Sequence, residues 1–469
     1  MILDGGLHDS VASCHYGDTI DPSPALRDQM PSQGTIGDRV RGLRLSRRMS
    51  QAQLAGPDLS DSYVSLIESG KRTPTPVVAR LLAERLGCTT EFLLHGIEPR
   101  QRIDTELGLR HAELELYHGD PAVAADRFGE IVKAAGEDNA MLAAHARLGV
   151  ARALEAQGRV GRAVEAYERL RREASAHPER LADLPLTVAL CRCYQRAGDR
   201  LRARDLGAHA LGQIDRLGVI EGELAVELAL ALVEAETGLP YVERVLSAAG
   251  PARANDRSAE ILALWQASVT AAEGEDSALA VQLAEDALAA GRPTRIVLRR
   301  ARMAMHWARI TAADPEGADL DRANELAQLA ADVFAGFPAE RQEHARSLTV
   351  LSFVRFRTGD AESAAELADR ALDLLDGANG TTAATANLVL AEIALARSGD
   401  PAVALNRAHD LLDGEAPDRE TARAWRMLGD LWGQAGAFDR QSGAYRRALE
   451  AVGIRVNIPG SMTTTVLAR

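Results

Sequence analysis

The residues best placed to do chemistry in this 469-residue chain lie between Ser50 and Arg72, and what they offer is hydrogen bonding and charge, not bond making. Ser50 suits a helix N-cap, and Leu54 and Ala55 give the short helix that starts at Gln51 a small apolar face. After the turn Gly56-Pro57-Asp58-Leu59, Ser60 can cap a second helix. Helical spacing turns Val64 and Ile67 of that helix inward and leaves Ser60, Asp61, Ser62, Ser65 and Leu66 on its outer side. Hydroxyls, a carboxylate and a leucine on one helix face are groups that can read base edges in a DNA groove. Gly70 ends the helix, and Lys71 and Arg72 follow at once, where cations can meet phosphates.

The flanking elements complete a domain. Pro76 opens a helix carrying Val78, Leu81, Leu82 and Leu86 at helical spacing, and Thr89 caps a last short one that runs through Leu94. With a helix before Ser50, these make a five-helix bundle over 35–96. The stretch resembles the DNA-binding domain of the Cro/cI-like, or XRE, family of bacterial and phage regulators, which is lambda-repressor-like and built on a helix-turn-helix. The resemblance implies a double-stranded DNA operator as partner, Gln51 as a phosphate-contacting residue at the start of the second helix, and an Arg44–Glu68 pair across the bundle.

Alanine, leucine, arginine and glutamate dominate while aromatic residues are only 4%, so the expected fold class is all-α. The net charge of −13 speaks against non-specific nucleic-acid binding by the chain as a whole. Residues 35–100 are the exception, with ten Lys and Arg against seven Asp and Glu and an arginine cluster at Arg39, Arg41, Arg44, Arg47 and Arg48. So modest a surplus calls for two such domains to bind tightly, hence a homodimer. No run of about 18 apolar residues occurs and the N-terminus lacks a basic region, which points to a cytoplasmic protein without a membrane partner. Cys14, Cys88, Cys191 and Cys193 suit a reducing compartment, and Cys191 reads as a small packing residue.

From about Gln101 the chain repeats. Glycines recur between helical patterns at Gly119, Gly158, Gly198, Gly238, Gly274, Gly359, Gly399 and Gly436. Small residues precede many of them by seven positions (Ala112, Ala151, Cys191, Ala267, Ser352), and alanines follow by five (Ala124, Ala163, Ala203, Ala364). Phe128, Tyr167 and Tyr445 are expected to fill the space between successive units. With a further unit over Ile296–Phe334, about nine helix pairs are expected. The pattern resembles the tetratricopeptide repeat (TPR), best in the unit Trp425 to Ala448, and implies a TPR-like α-solenoid over 101–453. Segments 1–34 and 454–469 show no periodicity and are expected to be disordered tails.

A solenoid presents a concave face, and the outward positions of first helices include Arg152, Arg192, Gln195, Arg196, Arg346, Phe353, Arg357, Arg397 and Arg426. Arginine forks suit carboxylates, so these nine are the candidate groove for an acidic peptide or a peptide C-terminus. Trp265 and Trp307 are expected to pack in the core. No phosphate loop, HExxH or Gly-x-Ser-x-Gly occurs, so neither an enzyme nor a cofactor is expected. The whole arrangement resembles peptide-sensing transcription regulators of the Rgg, PlcR and PrgX kind, which implies a signalling peptide or protein partner in the repeat groove. The alternative is an interaction scaffold whose helix-turn-helix domain docks protein instead of DNA.

Overall fold

The computed structural model describes residues 35–96, 99–135, 139–218, 220–234, 238–248, 256–314, 319–375 and 380–453. The expected tails lie outside them. Among the described residues the chain is all-α, with no strand, and no helix is long and apolar enough to cross a membrane. It divides into two compact units between Thr105 and Glu106.

The first unit holds α1 (Ile36–Ser46), α2 (Gln51–Ala55), α3 (Asp61–Glu68), α4 (Pro76–Arg85) and α5 (Thr90–His95). Thr35, Ser50, Ser60, Thr75 and Thr89 each cap the helix that follows, their side-chain oxygens accepting a backbone N–H of its first turn. Each such cap stabilises a helix by about 1 kcal/mol, enough to hold helices as short as α2 once Leu54, Val64, Ile67, Leu82 and Leu93 bury their side chains together. The arginine cluster is partly internal. Arg39 is buried and donates from Nε to the Leu93 carbonyl (3.0 Å) and from Nη2 to that of Leu94 (2.7 Å), closing the end of α5. Arg85 does the same for α2, donating to the Leu54 carbonyl at 3.1 Å, to the Ala55 carbonyl and to Asp58. Guanidinium groups capping carbonyls are invisible to a charge count, so the surface is less basic than the sequence suggests.

The second unit, from Glu106, is a TPR-like array of helix pairs. Its helices are α6 (Pro99–His118), whose first residues belong to the first unit, α7 (Pro121–Ala135), α8 (Ala140–Ala156), α9 (Val160–Ala176), α10 (Asp183–Arg196), α11 (Arg200–Leu217), α12 (Glu223–Glu234) and α13 (Leu239–Ala248). Then follow α14 (Ser258–Glu273), α15 (Ser277–Ala313), α16 (Leu320–Ala335), α17 (Arg341–Arg357), α18 (Ala361–Leu375), α19 (Thr381–Ala396), α20 (Ala402–Asp413), α21 (Arg419–Gln434) and α22 (Phe438–Ala451). In two units the small residue before the turn bonds the alanine after it. Cys191 Sγ donates to the Ala203 carbonyl at 3.1 Å and Ser352 Oγ to that of Ala364 at 2.6 Å, all four residues fully buried.

Phe128 fills the space between units as expected, because the next unit's α8 presents Gly149 to its ring; Tyr445 instead covers Gly429 within its own unit. A methyl group added at Gly149 would lie 2.4 Å from the Phe128 ring. Gly149→Ala should therefore destabilise the array by about 1–3 kcal/mol through overpacking, read as a lower urea midpoint.

Two features depart from a regular stack of nine pairs. The expected fifth and sixth units share α15, a single 37-residue helix that runs through Pro293. The fifth pair also leaves the stack: α12 and α13 share a core with the second half of α15, α16 and α17, from which residues 258–290 are absent. Instead α14 and the first half of α15 pack on α6, through Leu107, Leu114, Ile261, Ala284 and Ala287. His111 Nε2 lies 2.9 Å from Ser268 Oγ, and Arg110 reaches Glu285 at 3.1 Å. The phase shifts here too. The left-handed residue of this turn is Glu275 (φ 63°), not Gly274, so Ser268, not Ala267, is the small residue, donating to the Ala280 carbonyl at 2.6 Å.

Candidate functional site

Caps and core orient the outer face of α3. Ser60 Oγ accepts the Tyr63 N–H at 3.1 Å and Asp61 Oδ1 accepts that of Ser62 at 2.9 Å, fixing the first turn. Ser60, Asp61, Ser62, Ser65 and Leu66 are exposed, as are Lys71 and Arg72 beyond the helix. The Arg72 guanidinium lies 4.8 Å over the Tyr63 ring, which holds it beside α3.

Beneath this face lies a buried network. Arg44 donates from Nε to Glu68 Oε1 (2.6 Å), from Nη2 to Oε2 (2.9 Å) and from Nη1 to the Met49 carbonyl (2.9 Å). Gln51 Nε2 also donates to Glu68 Oε2, at 2.8 Å. Burial alone would raise the Glu68 carboxyl, but the hydrogen bonds from Arg44 and Gln51 outweigh it and hold the group below its ordinary range. Gln51 is thus tied to α3 through one N–H of its side-chain amide.

In the second unit the nine expected groove residues do not form one site. Arg192 makes a forked pair with Glu155, at 2.5 and 2.8 Å, and Arg196 reaches the same carboxylate at 3.5 Å. Arg152 sits among Tyr117, Tyr167, Glu113 and Glu227, and Gln195 Nε2 donates to the Glu234 carbonyl at 2.9 Å. Arg192 and Arg196 are thus engaged by a carboxylate of the unit itself and Gln195 by a backbone carbonyl, while Arg152 lies half-buried near the carboxylates of Glu113 and Glu227. Arg397 lies exposed at the end of α19, and the Arg357 guanidinium rests 6.0 Å over the Phe353 ring.

Arg346, Phe353 and Arg426 do come together, in a groove of about 640 Å³ formed by α15, α17, α19 and α21. Its walls mix apolar side chains (Met305, Ile310, Val350, Val389, Met427) with Thr349, Thr381 and Thr385. Arg309 and Arg423 add positive charge, while Asp314, Glu392, Glu420 and Asp430 balance it. Arg346 is held by Glu343 and Glu420, each at 3.1 Å. Glu392 Oε2 is buried with no hydrogen-bond partner among the described residues, and burial raises its carboxyl. His306 is pushed down to about 3, first by burial and then by the neighbouring arginines, so it is neutral at physiological pH. The groove can therefore accept carboxylates at its arginines, donors at Glu392 and apolar side chains between them. Among the described residues no group of His, Cys, Asp or Glu is placed to hold a metal ion.

Residues 40–93 match the family described as helix-turn-helix. This segment is a helix-turn-helix domain. No curated protein matches the chain. Among solved structures it is similar to a Rap protein complexed with Competence and Sporulation Factor, at 13% identity over 88% of this chain and 98% of that one, with a TM-score of 0.41. It is also similar to the apo form of the quorum sensor NprR from B. thuringiensis, at 14% identity over 74% and 98% of the two chains, TM-score 0.32. A third is Bacillus thuringiensis PlcR in complex with the peptide PapR7 and DNA, at 10% identity over 88% and 99%, TM-score 0.25.

Within the helix-turn-helix domain the second helix is α2 and the helix with the exposed polar face is α3. The sequence signalled its caps and its Arg44–Glu68 pair. It did not signal the bond from Gln51 to Glu68, since nothing in their spacing of 17 residues marks a contact. In the groove, Glu392 went unnoticed because it occupies the position before Gly399 where a small residue was sought; the turn's left-handed residue is Ser398, one earlier.

Proposed function

We propose that this chain is a cytoplasmic, sequence-specific DNA-binding transcriptional regulator that acts as a homodimer and senses a peptide in its repeat domain. The observation that carries the reading is the exposed polar face of α3 seated on the buried Arg44–Glu68–Gln51 network, a rigid platform for presenting side chains to a major groove. In this reading residues 35–96 bind the operator: Ser60, Asp61, Ser62, Ser65 and Leu66 face the bases, while Gln51, Lys71 and Arg72 face phosphates. Residues 101–453 receive the ligand. Arg346, Arg423 and Arg426 suit its carboxylates, Phe353 an apolar side chain, and Glu392 an amine or amide.

A gel shift of the full chain with genomic fragments tests the DNA-binding part. Retardation should weaken steeply with salt as counterions are released. Arg72→Ala or Gln51→Ala should lower affinity for every fragment alike. Ser62→Ala or Ser65→Ala should instead reorder fragments, by about 5-fold or more, as for a lost base contact of about 1 kcal/mol or more. Absence of any retained fragment at low salt would sink the reading.

A further inference from the structure

The helix α17 faces two cavities. Arg346, Val350 and Phe353 line the groove. His344, Leu348, Leu351 and Arg355 form a second stripe, about 180° round the helix from the first at 100° per residue. Between this stripe, α16 and α18 lies a separate pocket of about 220 Å³ that shares no residue with the groove. Part of its lining is apolar, with Leu348, Leu351 and Leu367 buried and Ala331 and Ala335 beside them. The rest is polar: Arg355, Arg370, His344 and the hydroxyl of Ser363.

The two arginines of this pocket are unpartnered. Arg355 Nε is buried without an acceptor, and neither Arg355 nor Arg370 makes a side-chain hydrogen bond or ion pair among the described residues. Arg110, Arg147, Arg295 and Arg302 also hold a buried nitrogen without an acceptor, yet each lies between 2.5 and 3.5 Å from a carboxylate. Among the described lining residues Asp332 alone carries a carboxylate; it is exposed and accepts from Gln328 Nε2 at 2.9 Å. The acids of α18, Glu362, Glu366, Asp369 and Asp373, are exposed and do not line the pocket. They are turned about 70–130° round the helix from the stripe of Ser363, Leu367 and Arg370. The lining thus holds two cations against one anion. Burial and the nearby Arg370 guanidinium hold His344 below its ordinary value, so its ring is neutral at physiological pH and offers one N–H.

We infer that this pocket binds a small organic acid, its carboxylate at Arg355 and Arg370 and its apolar body on Leu348, Leu351 and Leu367. A buried guanidinium nitrogen without an acceptor costs stability, which an incoming carboxylate offsets, and arginine forks match its paired oxygens. Pockets for drug-sized ligands span about 300–1,000 Å³, so this smaller one is left to a short-chain acid. It is a second site, independent of the peptide proposed for the groove.

Equilibrium dialysis of the full chain against labelled hexanoate tests it. The wild type should bind one hexanoate per chain, with a dissociation constant on the order of 0.1–1 mM. Acetate should bind roughly 10-fold more weakly or worse, since it leaves the leucines uncovered, and neutral hexanamide should not compete. Arg355→Gln with Arg370→Gln should weaken hexanoate by roughly 30-fold or more. Its circular dichroism and urea midpoint should hold, because neither side chain makes a bond within the fold. Arg426→Ala, in the groove, should leave hexanoate affinity as it is. A wild type that retains no hexanoate, or binding that survives the double substitution, would overturn the site. So would loss of binding in Arg426→Ala, which would place the acid in the groove. Inorganic phosphate or hexanamide displacing hexanoate at equal concentration would overturn the class of ligand.

Discussion

Replacing Glu68 by Ala should all but unfold the helix-turn-helix domain. The carboxylate is 5% exposed and its partner Arg44 10%, and the change leaves a buried guanidinium and the Gln51 amide without their acceptor. Removing one member of such a pair costs about 3–5 kcal/mol. Domains hold only about 0.05–0.15 kcal/mol per residue, so for residues 35–96 this is most of the total. Hydrogen exchange of α1–α5 in the full chain should show protection lost there and kept in the array. Replacing both partners, as Arg44→Met with Glu68→Leu, should recover part of the loss, because no charge then remains uncompensated. The wild type has a matching pH signature. Glu68 titrates below its ordinary value of 4.5 when folded, so its contribution is complete above that value and is lost as pH falls through the folded one. The Glu68→Ala variant should lack this component. Unchanged protection in the variant would mean that the pair is solvated and contributes little.

Glu155→Ala is the counterpart in the array. Glu155 is 6% exposed, accepts from Arg192 twice and from the Tyr167 hydroxyl at 3.0 Å, and has Arg196 at 3.5 Å. Burial would raise its carboxyl, but the bonds from Arg192 prevail and keep it ionised. Without it Arg192 keeps, among the described residues, the Glu227 carboxylate at 3.7 Å, and the loss should again be about 3–5 kcal/mol. Repeat arrays are stabilised locally, so exchange should quicken in α8–α11 while α19–α22 hold their protection. Glu155→Gln, which retains an acceptor, should lose less. Equal protection in α8–α11 for the wild type and Glu155→Ala would refute the network's role.

What the sequence determined by itself is what depends on near neighbours along the chain. The caps at Ser50, Ser60 and Thr89, the inward turn of Val64 and Ile67, and the meeting of Cys191 with Ala203 across one turn all follow from helical periodicity and span at most a dozen residues. So did the α-helical class and the nature of both units. Tertiary structure alone decided which arginines are available. Arg39 and Arg85 close distant helix ends, and Arg192 is taken by Glu155, 37 residues away. Such pairings depend on how helices cross, which periodicity does not encode. The departure of α14 from the stack has the same origin. It rests on contacts with α6 such as that of His111 with Ser268, 157 residues apart, and on the unbroken run of α15 through Pro293.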